Sequence, residues 1–326
     1  MTTRQARQGL GIGLIVLSCL SFSILDSGVK HAMNLAPAAM LLWFRYGFQA
    51  VITLVLRLPV QGRSILVTEH PRFQLARGLL LLVSTVCAFF SLKYLPVGEF
   101  AAMAMLSPLL ATGMSAWFLK VHVQRLSWVL LITGLLGVVL VVHPGGSMFT
   151  WALVFPAILV CTNAGFQVLT SRLSGADDPY TTQFYTGLVG AVAFAPLLWY
   201  FWDGAALWAH WPWFLLLGIS GAFGHLMLIR AFMHAPAPVL MPYLYTQIGF
   251  AMLMSWLAFS HVPEPLAWLG IGVIAVSGVA NALLVSHPVT AGVSARAYNH
   301  GPTFRTASRQ PADAPPQAGR GPAGQR

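Results

Sequence analysis

Ten apolar stretches, each close to twenty residues long, constrain this chain more than any other feature. They cover residues 9–31, 37–57, 74–95, 98–119, 126–142, 149–170, 180–201, 212–233, 238–260 and 265–286. About 20 apolar residues in a helix cross the hydrocarbon core of a bilayer, where a backbone must satisfy its own hydrogen bonds. The expected fold is therefore an all-α membrane protein with ten transmembrane helices. Pro or Gly punctuates most junctions, as in PVG at 96–98, HPGG at 143–146 and APAP at 235–238, so the connections are short. Composition agrees: 57% of the 326 residues are hydrophobic and 8% are charged, a balance that excludes a soluble domain of this length. Cys19, Cys87 and Cys161 all fall inside apolar stretches and read as small packing residues, not as a disulfide or a metal set.

The net charge of +10 would suit nucleic acid, but its distribution fits membrane topology better. With the N-terminus in the cytoplasm, Arg4, Arg7, Arg57, Arg63, Arg72, Arg77, Lys120, Arg125, Arg172 and Arg230 fall at or near cytoplasmic ends. Arg296, Arg305, Arg309, Arg320 and Arg326 follow the last stretch, while Lys30 and Lys93 alone lie toward the outside. Both termini are therefore expected in the cytoplasm, and the chain in the cell inner membrane. Arg4 and Arg7 before an apolar run imitate a signal peptide, but Asp26 and Lys30 within the run and nine further stretches argue for a retained span. Residues 291–326 are rich in Pro, Gly, Ala, Gln and Arg and poor in large apolar side chains, which predicts a disordered basic tail.

The chain also repeats. Cys19 and Cys161, Lys30 and Arg172, and Pro37 and Pro179 are each 142 residues apart. Farther on the spacing becomes 139, aligning KYLPVGEF at 93–100 with FMHAPAPV at 232–239 and Trp117 with Trp256. Shared order and spacing point to a duplicated unit: residues 1–8 as a cytoplasmic N-terminus, 9–143 and 149–286 as two five-helix repeats, and 291–326 as the tail. An odd number of spans inverts the second copy. Inverted repeats are characteristic of secondary transporters, whose substrate sites lie near the midplane between the halves.

The polar residues inside the stretches mark where such a site would be. Asp26 lies about 16 Å before Pro37 and Arg45 about 12 Å after it at helical rise, so two antiparallel helices hold opposite charges at matched depth. Ionisable residues so deep are costly and usually face a polar interior; a purely structural ion pair is the plain alternative. Asp26 aligns with Val168 and Arg45 with Gly187, which confines the charges to the first copy. The second copy offers Asn163, Gln167, Gln183, Tyr185, Tyr243, Tyr245 and Gln247 instead. Asn163 and Gln167 share a helix face at i,i+4, as do Tyr243 and Gln247. Asp26, Arg45, Asn163, Gln167, Tyr243, Tyr245 and Gln247 are thus the candidate substrate-binding residues, suited to a zwitterionic or aromatic metabolite. His225 is a candidate proton carrier, and Lys93 with Glu99 a candidate outer gate. Gly134, Gly137, Gly270, Gly272 and Gly278 are expected at close helix contacts.

Two units, each with a basic residue closing its first helix (Lys30, Arg172), and the stretch Leu92 to Glu99 between the third and fourth helices resemble EamA domains of the drug/metabolite transporter superfamily. Ala231 to Pro238 is the degenerate second copy of that stretch. Ser107-Pro108 in the fourth helix is similar to the family too, with Thr246-Gln247 in its place in the second half. The resemblance covers about residues 9–286 and implies a ten-helix secondary carrier; the Asp26, Lys30 and Arg45 pattern is similar to the subset related to S-adenosylmethionine and riboflavin carriers. No Walker loop, HExxH or G-x-S-x-G occurs, so no catalytic residue, metal or cofactor is expected. The expected partners are a small-molecule substrate and the lipid bilayer, with a homodimer as a candidate assembly and no nucleic acid. A membrane scaffold or sensor acting through the basic tail, and a membrane-embedded lipid-modifying enzyme, are the rival functions.

Overall fold

The computed structural model describes residues 3–118, 124–143, 151–173, 177–235 and 237–286; the basic tail at 291–326 lies outside them. The described residues are all helical apart from connections. The α-helices are α1 (Thr3–Ala32), α2 (Ala38–Gln61), α3 (Pro71–Tyr94), α4 (Val97–Ala104), α5 (Ser107–Phe118) and α6 (Arg125–Val142). They continue with α7 (Val154–Leu173), α8 (Pro179–Phe201), α9 (Gly204–His234), α10 (Ala237–Leu244), α11 (Thr246–Phe259) and α12 (Pro265–Ser286). Eight of these regions are long and apolar enough to cross a bilayer, which makes the chain a multi-pass membrane protein. The helix starts follow from capping chemistry. Pro71 and Pro179 open α3 and α8 where a missing N–H costs nothing. Asp178 accepts from the Tyr180 and Thr181 amides at 2.8 and 3.3 Å, and Asp203 accepts from Ala206 at 2.9 Å.

The apolar runs at 98–119 and 238–260 are not single helices. Each is broken in its middle, giving α4 and α5 in one half and α10 and α11 in the other. Val97 and Ala237 begin the upstream helices and Ala104 and Leu244 end them, at a spacing of 140, while Ser107 and Thr246 restart the chain at 139. Both restarts carry a hydroxyl residue that takes up a carbonyl freed by the break. Ser107 Oγ donates to Ala104 O at 2.7 Å, and Thr246 Oγ1 donates to Tyr243 O at 2.6 Å. Irregular backbone at membrane depth is tolerated where it is buried in protein or lines a cavity.

Helix packing repeats with the halves exchanged. α1 lies on α9 as α7 lies on α3, α1 on α11 as α7 on α5, and α2 on α9 as α8 on α3. Two helices meet their own counterparts, α2 on α8 and α6 on α12, as elements astride a two-fold axis must. At these self-pairs the backbones come close, and small residues allow it. A Cβ at Gly270 would stand 2.5 Å from Gly137 O, and one at Gly187 would stand 2.7 Å from Ala50 N. Gly134 abuts Leu109 and Gly278 abuts Tyr245, but Gly272 has nothing within 4 Å, so close packing there is not met. Cys19 and Cys87 are buried and Cys161 is exposed; all three are free. A band of exposed aromatics, Trp199, Tyr200, Trp202, Trp208 and Trp211, flanks the α8–α9 connection, where amphipathic rings favour the headgroup level.

Candidate functional site

A cavity of about 630 Å³ lies inside the helices, and both helix breaks reach it: Met105 and Pro108 from one, Leu244 and Gln247 from the other. It runs from Leu92 and Phe100 near the α3–α4 turn to Asp177 and Thr182 at the α7–α8 junction. Asp26, Arg45, Asn163, Gln167, His225 and Gln247 all line it, with Phe22, Phe89, Phe100 and Phe166 among the apolar wall. An apolar cleft of this size with a few convergent polar groups is the usual form of a small-molecule site.

Arg45 is 4% exposed and is held from three sides. Its Nη1 donates to Thr85 Oγ1 at 3.2 Å and its Nη2 faces His225 Nε2 at 3.4 Å. The guanidinium stands 5.0 Å from the Tyr46 ring centre, and Nε has no hydrogen-bond partner. Gly221 makes room for it, since a Cβ there would lie 3.1 Å from Nε. The expected pairing of Arg45 with Asp26 is not present. Both line the cavity, but among the described residues the ion pairs within 4.0 Å are His261 with Glu99 and His70 with Asp177. Matched depth along two helices does not decide azimuth, and Nη1 and Nη2 of Arg45 turn to Thr85 on α3 and His225 on α9. Asp26 lies instead beside the Gln247 side chain. His225 is buried and edge-on to Phe22, with ring centres 4.9 Å apart; facing a guanidinium, its Nε2 is the acceptor.

The second half contributes amides. Asn163 and Gln167 line the cavity from α7 as their spacing predicts, and Gln167 Oε1 has no partner. Gln247 lines it from α11, but Tyr243 and Tyr245 do not. Tyr245 packs on α12 at Gly278, and Tyr243 is half-buried with its carbonyl against the Cys19 thiol at 3.8 Å. Tyr243 and Gln247 share a face at i,i+4 only along one continuous helix; the break at Tyr245 resets the register between them. Gln183 lies outside the cavity, donating to Ala222 O, and Tyr185 donates to Leu66 O.

Lys93 and Glu99 do not pair. Lys93 is exposed, 5.6 Å from the Tyr94 ring centre, because its helix points it outward. Glu99 is 1% exposed and meets His261 Nε2 at 2.8 Å instead. Lys30 closes α3 by donating to Leu92 O and Leu95 O, both at 2.8 Å.

One residue placed at the interface by its sequence position belongs inside. Arg77 is 1% exposed, with Nε on Thr170 Oγ1 at 2.7 Å and Nη1 on Thr186 Oγ1 at 2.6 Å and Thr182 O at 3.3 Å. Its guanidinium lies 4.6 Å from the Phe166 ring centre. Thr170, Thr182 and Phe166 line the cavity, so this cation stands directly behind the wall. In the sequence its burial is marked only by the threonines at 170, 182 and 186, a residue type common in any helix.

A bundle that crosses the membrane many times around an apolar cavity with a few convergent polar groups, with broken helices reaching that cavity, has the build of a solute carrier. The sequence profile of the EamA-like transporter family matches residues 9–143 and 147–282, and the chain belongs to that family: it is a transporter of small metabolites, not an enzyme. It is 28% identical to the pseudopaline exporter of Pseudomonas aeruginosa over 272 residues, 83% of this chain and 95% of the relative. It is 23% identical to an S-adenosylmethionine uptake transporter of Rickettsia bellii over 78% of this chain and 87% of the relative. With the riboflavin transporter of Vibrio cholerae it shares 26% identity over 79% of this chain and 88% of the relative. A protein of known crystal structure superposes with a TM-score of 0.59 at 18% identity, over 88% of this chain and 100% of its own, which supports the fold.

Proposed function

We propose that the chain is a secondary carrier of the inner membrane, with ten spans in two inverted halves and both termini in the cytoplasm. It moves a small zwitterionic metabolite by alternating access, the two halves rocking about the cavity. The observation that carries the substrate class is that Asp26 and Arg45 line one cavity without pairing with each other. Opposite charges that do not neutralise one another leave one site for a ligand anion and one for a ligand cation. Arg45 is the counter-charge for the anionic group, since a guanidinium offers a planar fork that matches a carboxylate; its Nε and Gln167 Oε1 are without partners. Arg77 behind the wall adds positive potential on the same side. Asn163, Gln167 and Gln247 orient the polar groups, and the phenylalanines hold the apolar part. The relatives are named for an exported compound and for two that are taken up or transported, so membership alone fixes neither substrate nor direction.

The drive is a proton gradient or exchange. A substrate carboxylate that draws Arg45 away frees His225 Nε2 to accept a proton, which would tie substrate binding to proton binding. Uptake into reconstituted proteoliposomes, run with labelled amino acids, nucleosides, vitamins and adenosyl compounds, with and without a pH gradient, tests this. At least one compound moves if the proposal holds; none moves if it is wrong. Replacing His225 with Gln should abolish pH-driven accumulation while exchange survives, and unchanged pH dependence would leave His225 a packing residue.

A further inference from the structure

Two basic residues that the substrate site does not use meet at one tyrosine. Arg57 lies four residues before the end of α2, Arg230 four before the end of α9, and Tyr180 is the second residue of α8. All three therefore stand at the same end of the bundle, about one helical turn inside it. In the orientation proposed above this end is cytoplasmic. The Arg57 guanidinium lies over the Tyr180 ring, 3.5 Å from its centre. That of Arg230 lies 5.5 Å from the same centre, and its Nη2 donates to the Tyr180 hydroxyl. Tyr180 is buried and both arginines are half-buried.

The pair has no anion of its own. Among the described residues neither arginine has a carboxylate oxygen within 4.0 Å. Asp178, the acid nearest to Tyr180 in sequence, is held by other donors. Its Oδ1 accepts from the Tyr180 and Thr181 amides, and its Oδ2 from Gln61 Nε2 at 3.4 Å. Asp177 accepts from Thr68 and Gln74 at 2.6 and 2.8 Å. Two like charges held at one ring in partly desolvated surroundings repel, and an anion beside both reverses that cost.

The helix faces decide which kind of anion fits. Phe223 and Ile219 precede Arg230 by seven and eleven residues, close to two and three helical turns, so all three share one face of α9. Both apolar residues are exposed. His225, Leu228 and Ile229, which line the cavity, lie roughly a third of a turn round the same helix. Arg230 thus ends an apolar stripe on the outside of the bundle, away from the substrate path. On α2, Val51 and Val55 are likewise exposed on the membrane side of Arg57. Cations at helix ends above apolar side chains stand where headgroups lie above acyl chains.

We propose that Arg57, Arg230 and Tyr180 form a binding site for the phosphate of an anionic membrane lipid. The phosphodiester lies against the two guanidiniums, whose forked donors match phosphate oxygens, and an acyl chain follows the stripe of Phe223 and Ile219. Basic pockets between helices on the cytoplasmic side suit such headgroups. Arg57 belongs to the first half of the molecule and Arg230 to the second. A bound lipid therefore bridges the halves beside Pro179 and Met233, which line the cavity at this end. The opposite end has no such pair: at the repeat spacings of 142 and 139, Arg57 matches Trp199 and Arg230 matches Ser91.

The test counts bound lipid. The full chain, purified in a neutral detergent and stripped of lipid, is titrated with phosphatidylglycerol or phosphatidylcholine and read by native mass spectrometry. Phosphatidylglycerol should bind about 25-fold more tightly, about fivefold for each arginine beside the headgroup. Arg57→Gln and Arg230→Gln should each lose about fivefold of that preference, and the double variant nearly all of it. Melting temperatures without lipid check that each variant folds, and Arg57→Gln, at a residue without an ion pair, keeps the test open should the double variant fail. Arg63→Gln, exposed in the turn after α2, should keep the full preference. Inorganic phosphate in equal amount should not displace phosphatidylglycerol; displacement would mark a site for a free anion and overturn the lipid assignment. Equal binding of the two lipids by the parent, or a preference that survives both single substitutions, would reduce the arginines to topology markers and overturn the site.

Discussion

The two halves of this molecule share a backbone plan and divide the chemistry. The first half brings charge to the cavity, Asp26 from α1 and Arg45 from α2; the second brings amides, Asn163 and Gln167 from α7 and Gln247 from α11. The difference has a steric root. Arg45 aligns with Gly187, and at Gly187 the α2 and α8 backbones touch, so that a Cβ would already be 2.7 Å from Ala50 N. A duplicated arginine has no room beside the axis. The same crossing that joins the halves forces them to differ, and an asymmetric site can hold a ligand in one orientation.

The largest effect should come from the charged wall. Arg45→Gln is expected to lower transport about 100-fold or more, in line with the 2–5 kcal/mol typical of truncating a buried, hydrogen-bonded charge. Arg45→Lys should insert and fold but bind substrate more weakly, because a point charge does not replace the fork. Initial uptake rates in proteoliposomes distinguish the two. Full activity in Arg45→Gln would erase the difference between the halves.

Next is the cation behind the wall. Arg77→Met keeps volume and removes charge, and replacing a buried ion by an apolar residue is often nearly neutral for folding. We expect normal expression and thermal stability with about tenfold lower transport, or about 1.4 kcal/mol. Unchanged transport would make Arg77 a packing residue. In the second half, Asn163→Ala and Gln167→Ala should each raise KM about fivefold, the loss of about 1 kcal/mol expected for one hydrogen bond. A larger loss than for Arg45→Gln would reverse the proposed division of labour. Gly187→Ala addresses its steric cause: the variant should lose about 1–3 kcal/mol of stability, as overpacking does, measured as a fall in melting temperature in detergent.

Much of the plan was legible from the sequence because bilayer thickness imposes it. Long apolar runs, the positions of Pro37 and Pro179 and the repeat spacing depend on local chain properties, and the helices follow them. Asp26, Arg45, Asn163, Gln167, His225 and Gln247 could be found as polar residues in apolar surroundings, and all six line the cavity. What failed needed azimuth or tertiary context. The helix break at Tyr245 has no strong local mark, so Tyr243 and Tyr245 were assigned to a face they do not share with Gln247. Glu99 was matched with its sequence neighbour Lys93, whereas its partner His261 is 162 residues away. Arg77 looked interfacial by its distance from the end of α3, and only the threonines of α7 and α8 reveal that it is buried.

The central claim is that Asp26 and Arg45 serve a substrate and not each other. The neutral double variant Asp26→Asn, Arg45→Gln tests it, assayed for uptake of whichever compound the parent carries in proteoliposomes. We predict that the double variant inserts normally and remains as inactive as Arg45→Gln alone. Transport restored to near the parent rate would mean that the two charges only balance one another, and the substrate-binding role would be wrong.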